Sequence, residues 1–229
     1  MWLLASNALA ADCVVLLHGL ARGPGAMAKL GRVLADDGYS IVNDGYPSRR
    51  HPIEELAPLA IDPALAKCKT ANTDKVHFVT HSLGGILVRA YLAANTVENL
   101  GRVVMLGPPN HGSEVVDVLG NTPAFRWANG PAGAELGTDP ATSKPLRLGP
   151  ANFDVGVIAG NRTVNFLLSR YLPGADDGKV SVESTKLDGM ADHIVLAATH
   201  TFMMSNRQAI EQVRYFLDHG QFKRNDGPD

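Results

Sequence analysis

No stretch of this 229-residue chain is apolar for the roughly 20 residues that a bilayer-spanning helix needs. Runs of basic residues interleaved with aromatics are absent too. Arg22, Arg32, Arg49 and Arg50 are scattered, and the formal net charge is -2, so nothing equips the chain for a polyanion and no nucleic-acid partner is expected. Internal repeats and low-complexity tracts are also missing. Cysteine is scarce: only Cys13 and Cys68 occur, which allows one disulfide in an oxidising compartment or two buried thiols in a reducing one. Neither stands at a strand-to-helix turn beside a base, so neither is a candidate nucleophile.

Residues 1–10 are apolar, then small, and end in Ala8-Leu9-Ala10. That resembles the tail of a secretory signal with an A-x-A cleavage site, although a positively charged start is lacking. This reading places the protein in the periplasm or outside the cell. The alternative is an ordinary N-terminal strand in a cytoplasmic protein.

What is present is an alternation of strand and helix signals along residues 1–229, which predicts a single α/β domain with a mostly parallel central sheet and helices on both faces. Cys13-Val14-Val15-Leu16-Leu17, Val76-His77-Phe78-Val79, Val103-Val104-Met105-Leu106 and His193-Ile194-Val195-Leu196-Ala197-Ala198 read as strands. Three stripes at helical spacing read as core-facing helices: Met27, Leu30 and Leu34; Leu83, Leu87, Ala90 and Ala94; and Ile210, Val213 and Leu217. Ser205 with Gln208 forms an expected capping box for the last. Residues 117–150 break the alternation. They are rich in Gly and Pro, include Phe125, Trp127 and Leu136, and show no clear period.

The most informative residue is Ser82, in Thr80-His81-Ser82-Leu83-Gly84, between the Val76–Val79 run and the helical Gly85-Ile86-Leu87-Val88. A serine at a sharp strand-to-helix turn has its hydroxyl pushed clear of the backbone, at the positive end of a helix. Such a turn needs small neighbours; Gly84 supplies one, and Thr80 stands where G-x-S-x-G has its first glycine. The plain alternative is that Ser82 merely caps a helix.

Three other segments complete the pattern: the first strand running into His18-Gly19-Leu20, then Pro108-Pro109-Asn110-His111-Gly112-Ser113, then Asp177-Gly178-Lys179-Val180. In this order with the Ser82 turn, they make the chain resemble the bacterial lipase and carboxylesterase branch of the α/β-hydrolase superfamily from Cys13 to the C-terminal helix. The resemblance implies the α/β-hydrolase fold, with residues 117–150 as a small cap-like insertion or one wall of an acyl pocket. It implies Ser82 as nucleophile, with the backbone N–H groups of Leu20 and Leu83 as the oxyanion hole. The general base is then His200, in the loop after the final strand, and the acid that orients it is Asp177, ahead of an expected short strand Val180-Ser181-Val182. Asp176 is the near competitor.

Eight histidines must be apportioned. His18 is expected to order the first loop and His81 to line the Ser82 turn, while His77 points from the opposite face of its strand. His51 and His219 read as surface residues. His111 falls too early for the superfamily's order, and His193 precedes the final strand. The resemblance implies hydrolysis of carboxylic esters, with a small-molecule or lipid ester as substrate and no cofactor. An acyltransferase with the same triad is one alternative, and a non-catalytic binding protein on the same fold is another. Some similar lipases hold calcium through an aspartate soon after the catalytic histidine. Here Thr201, Phe202 and Met203 follow His200, so no metal is expected.

Overall fold

Six segments rich in β-branched and leucine residues form the sheet: β1 Cys13–Leu17, β2 Ser40–Val42, β3 Val76–His81, β4 Leu100–Leu106, β5 Val155–Gly160 and β6 Asp192–Leu196. The computed structural model describes residues 11–71 and 73–224, so the candidate signal remnant at residues 1–10 lies outside them. The strand order is β2-β1-β3-β4-β5-β6, and every neighbouring pair is parallel. β1, β3 and β5 are buried at every position, which is why β1 reads as an unbroken apolar run rather than as an alternating one; β2 and β5 were not foreseen as strands.

Consecutive side chains on a strand point to opposite faces, and here they enter two separate cores. Val15, Phe78 and Val103 meet the helices α2 (Ile53–Thr70) and α3 (Leu83–Ala94) through Leu56, Ile61 and Leu87. Their neighbours Val14, Val79 and Val104 meet α1 (Ala28–Asp36) and α9 (Arg207–His219) through Leu30, Val213 and Phe216. Each such large apolar side chain contributes about 1.5–3 kcal/mol by leaving water. The sheet is thus covered on both sides, as the alternation predicts. The remaining helices are short: α4 Glu114–Leu119, α5 Pro123–Ala134, α6 Lys144–Arg147, α7 Phe166–Ser169 and α8 Val182–Thr185.

Several local expectations are corrected. Val180-Ser181-Val182 is not a strand. Asp176 and Ser181 make one isolated antiparallel bridge, and the Ser181 side chain then accepts the Ser184 N–H to start α8. β6 stops at Leu196 because the Ala198 N–H turns back to the Leu196 carbonyl. The cap of α9 is Asn206, whose side chain accepts the Ala209 N–H, while the Ser205 hydroxyl donates to the Phe202 carbonyl. In α3 a single stripe is too narrow a description: Leu83 through Arg89 are all buried, because the helix is enclosed on every side over its first two turns. Residues 117–150 hold the end of α4, all of α5 and α6.

Cys13 opens β1 and Cys68 lies near the end of α2, and the two are joined in a disulfide across 55 residues of chain. This bond ties α2 to the start of the strand next to β3.

Parallel pairing brings the carboxyl ends of the strands together. Leu17 pairs with Thr80, His81 with Leu106, and Gly160 with Leu196. β1 is followed by a crossover to β2 on one side, and β3 lies on its other side, so the loops after β1 and β3 leave a crevice between them. In open parallel sheets that is where ligands bind.

Candidate active site

Ser82 has φ 53° and ψ -119°, a region that non-glycine residues avoid at a cost of order 1–3 kcal/mol. Among the described residues it shares a positive φ with just one other non-glycine residue, Ala21. The turn is held from both sides: the Ser82 N–H donates to the Leu106 carbonyl at 2.9 Å, and the Gly85 N–H donates to the Ser82 carbonyl at 3.0 Å. The neighbouring backbones press against it. A methyl on Gly84 would come 2.6 Å from the Leu17 carbonyl oxygen, and one on Gly19 would meet the Ser82 Cβ at 3.2 Å. Residues 18–20 are therefore packed directly against the serine. Although Ser82 occupies the cap position of α3, its side chain accepts no N–H from the helix, so the simple capping reading does not account for it.

His200 lies at the start of a short 3-10 turn after β6. Its Nδ1 stands 2.7 Å from Asp177 Oδ2, and its backbone N–H donates to the Asp177 carbonyl at 2.9 Å. Asp177 is buried, as is His200. Asp177 Oδ1 accepts the N–H groups of Lys179 at 3.0 Å and Val180 at 2.9 Å. With Nδ1–H donated to the carboxylate, the lone pair of the imidazole resides on Nε2, as a general base requires. Asp176 is turned elsewhere: it accepts from the Ser169 hydroxyl and from the Gly178 N–H at 2.7 Å. Ser82 and His200 line one cavity but make no direct hydrogen bond. Hydrogen bonds between a nucleophile and its base commonly form or shorten only when substrate is present.

The two neighbouring loops are ordered by histidines. The Tyr46 N–H donates to His18 Nε2 at 3.4 Å, which leaves Nδ1–H to donate to the Gly19 carbonyl at 2.9 Å. Tyr46 also stacks on the His18 ring at 4.2 Å and donates its hydroxyl to the His18 carbonyl. His81 donates Nε2–H to the His200 carbonyl at 2.9 Å, with ring centroids 4.8 Å apart. Burial, reinforced by nearby His200, holds His81 well below the ordinary imidazole range and therefore neutral. Tyr46 and the His81–His200 contact were not foreseen. They join residues 28 and 119 positions apart, and no local pattern signals such partners.

The other histidines are placed away from this chemistry. His111 and His219 are exposed, and His51 pairs with Glu55 on the first turn of α2. His77 sits between Asp12 and the Arg102 N–H. His193 bonds the Thr185 hydroxyl at 3.0 Å. Among the described residues no group of three His, Cys, Asp or Glu side chains is arranged to hold a metal; Asp192 is engaged by Arg224 and the Phe222 N–H.

The cavity has a volume of about 410 Å³ and opens over Ser82 and His200. Val115, Val116, Leu119, Phe125 and Leu136 give the cavity an apolar lining from residues just before and within 117–150, and Leu168 of α7 adds to it. The buried Arg89 of α3 ties the backbone at Asn110 to the end of the 117–150 segment. Its guanidinium donates to the carbonyls of Asn110, Pro145 and Gly149, and desolvation brings its pKa down to about 10.

No protein-family profile and no curated protein sequence matches the chain. Solved structures do. The mature lipase BlEst2 of Bacillus licheniformis is similar at TM-score 0.69 and 20% identity over 92% of each chain. A structure of the metagenome-derived lipolytic enzymes LipS and LipT is similar at TM-score 0.65 and 15% identity, over 92% of this chain and 95% of that one. The esterase RhEst1 of a Rhodococcus species is similar at TM-score 0.57 and 16% identity, over 92% of this chain and 91% of that one. At these identities the shared property is the fold.

Proposed function

Taking as premise that this chain has the α/β-hydrolase fold, we propose that it is a serine hydrolase of carboxylic esters working through an acyl-enzyme. Ser82 Oγ attacks the ester carbonyl while His200 Nε2 takes its proton. The carbonyl oxygen becomes an oxyanion, stabilised by the backbone N–H groups of Leu20 and Leu83. Leu83 suits this task because an N–H in the first turn of a helix has no intrahelical acceptor. His200 then delivers the proton to the departing alcohol. Water, activated by the same imidazole, releases the acid and restores Ser82. Asp177 keeps the proton of His200 on Nδ1 and stabilises the imidazolium.

The observation that carries the reading is that His200, held by Asp177, lines the same cavity as a serine kept at a positive φ whose side chain caps no helix N–H. The apolar lining favours the acyl part of an ester. Phe166 and Leu167, 74% exposed beside the cavity-lining Leu168, extend the apolar surface outward and favour lipid esters among these. Residues 117–150 act as a partial cover. The Cys13–Cys68 disulfide favours an exported protein.

The deciding experiment is hydrolysis of chromogenic short-chain esters by wild type and Ser82→Ala, with labelling by a fluorophosphonate. Wild type is expected to turn over and to be labelled on Ser82, and the variant to lose about 10³-fold or more in kcat. Equal activity in both proteins defeats the mechanism, and activity in neither favours a binding protein on this fold.

A further inference from the structure

Two cations line the cavity with Ser82 and His200: Arg22, in the loop after β1, and Lys179, in the loop that carries Asp177. Several cations elsewhere on the protein have carboxylate partners, among them Lys67 with Asp44, Arg102 with Asp154, Arg214 with Asp37 and Arg224 with Asp192. Among the described residues, neither Arg22 nor Lys179 has one, and neither head group makes a hydrogen bond. The carboxylate nearest in influence to Lys179 is Asp177, whose oxygens are taken by His200 and by backbone N–H groups. The two cations also feel one another: burial lowers the Lys179 ammonium from its ordinary value and Arg22 lowers it further.

Both are carried on fixed backbone. The Lys179 N–H is bound to Asp177 Oδ1 and its carbonyl accepts the Ser113 hydroxyl at 2.8 Å. The Arg22 N–H donates to the Gly19 carbonyl, and the preceding Ala21 holds a positive φ with its N–H on Ser48 Oγ. Two like charges at the edge of one cavity, neither paired with a carboxylate, repel one another, and an anion held between them relieves that repulsion. Arg and Lys together suit a carboxylate or phosphate: the guanidinium forks across two oxygens and the ammonium adds a point charge.

We infer that the ester this site takes carries an anionic oxygen group, carboxylate or phosphate, that Arg22 and Lys179 bind while the acyl carbon lies at Ser82. This rests on the ester-hydrolase reading above and names the substrate class for it. An anion between the two cations relieves their repulsion, and the apolar residues that line the same cavity suit a hydrocarbon segment of the same molecule.

The test compares matched esters on the same protein. One pair is 4-nitrophenyl hexanoate with the mono-4-nitrophenyl ester of adipic acid, which puts a carboxylate on the acyl side. The other is hexanoylglycerol with hexanoylglycerol phosphate, which puts a phosphate on the alcohol side. The ratio of kcat/KM, anionic over neutral, is independent of the fraction of correctly folded enzyme. In at least one pair wild type is expected to favour the anionic ester by about tenfold or more, and Arg22→Gln and Lys179→Gln each to reduce that ratio several-fold. About 0.5 M sodium chloride is expected to reduce it too. Arg32→Gln, an exposed cation on α1, controls for net charge and is expected to leave the ratio unchanged. The pair that shows the preference identifies the source of the anion. Hydrolysis of the neutral esters with no anionic preference in either pair, or a preference untouched by both substitutions, overturns this inference and leaves the ester-hydrolase reading standing. Hydrolysis of none of the four esters overturns both.

Discussion

Asp177 holds His200 at two points: the carboxylate Oδ2 lies 2.7 Å from the ring Nδ1, and the Asp177 carbonyl accepts the His200 backbone N–H at 2.9 Å. One contact sets the tautomer and the other sets where the ring starts from. A third restraint comes from His81, which donates to the His200 carbonyl at 2.9 Å. The imidazole is therefore held by three contacts within the protein, which on the proposed mechanism lowers the cost of reaching a reactive geometry.

Because the second oxygen of Asp177 is bound by two backbone N–H groups, Asp177→Asn is expected to keep the loop while presenting the wrong partner to Nδ1. Turnover should fall by roughly 10³–10⁴-fold with little change in KM, as for loss of an orienting acid. Asp176→Asn, whose carboxylate faces Ser169 and Gly178, should lose less than about tenfold, since only loop packing is touched. Steady-state kinetics on a chromogenic ester separate the two. A greater loss in the Asp176 variant would remove Asp177 from the mechanism.

The Cys13–Cys68 bond closes a loop of 55 residues. On the chain-entropy account a loop of this length stabilises the folded state by about 4 kcal/mol. Replacing both cysteines by alanine is expected to lower the thermal midpoint by roughly 8–16 °C. Calorimetry of oxidised wild type against the double variant measures this, and matching midpoints would contradict it.

Burial lowers four histidines below the ordinary imidazole value of 6.5: His18, His77, His81 and His193. The folded state thus holds them neutral at pH values where the unfolded chain binds protons. Stability is at its full value above pH 6.5 and falls as acid is added below it, by up to about 1.4 kcal/mol for each unit by which a given histidine is lowered. Urea midpoints measured from neutral pH downward should begin to drop between roughly pH 6.5 and 5.5, above the range where carboxylates titrate. Midpoints that stay level through that window would show that these side chains are not buried neutral.

Much of this protein is legible from local pattern. The apolar runs of β1 and β3, the stripes Met27–Leu30–Leu34 and Ile210–Val213–Leu217, and the strand-to-helix placement of Ser82 each follow from periodicities spanning one element. The two-sided sheet follows because runs such as Cys13–Leu17 are apolar on both faces. The missed details arose where a side chain chose a backbone partner: Ser181 started α8 where a strand was expected, and Asn206 capped α9 in place of Ser205.

Sequence alone determined the order of elements, the two apolar faces and which residue types stand at the carboxyl ends of the strands, because these depend on neighbours within a few positions. Tertiary structure put Asp177, and not Asp176, beside the His200 ring, although the two share nearly the same local sequence, and it brought Tyr46 to His18, His81 to the His200 carbonyl, and Arg22 and Lys179 to the cavity. Those outcomes depend on where loops distant in the chain come to rest, and only the pairing of β1, β3, β5 and β6 into one sheet with their neighbours brings those loops together.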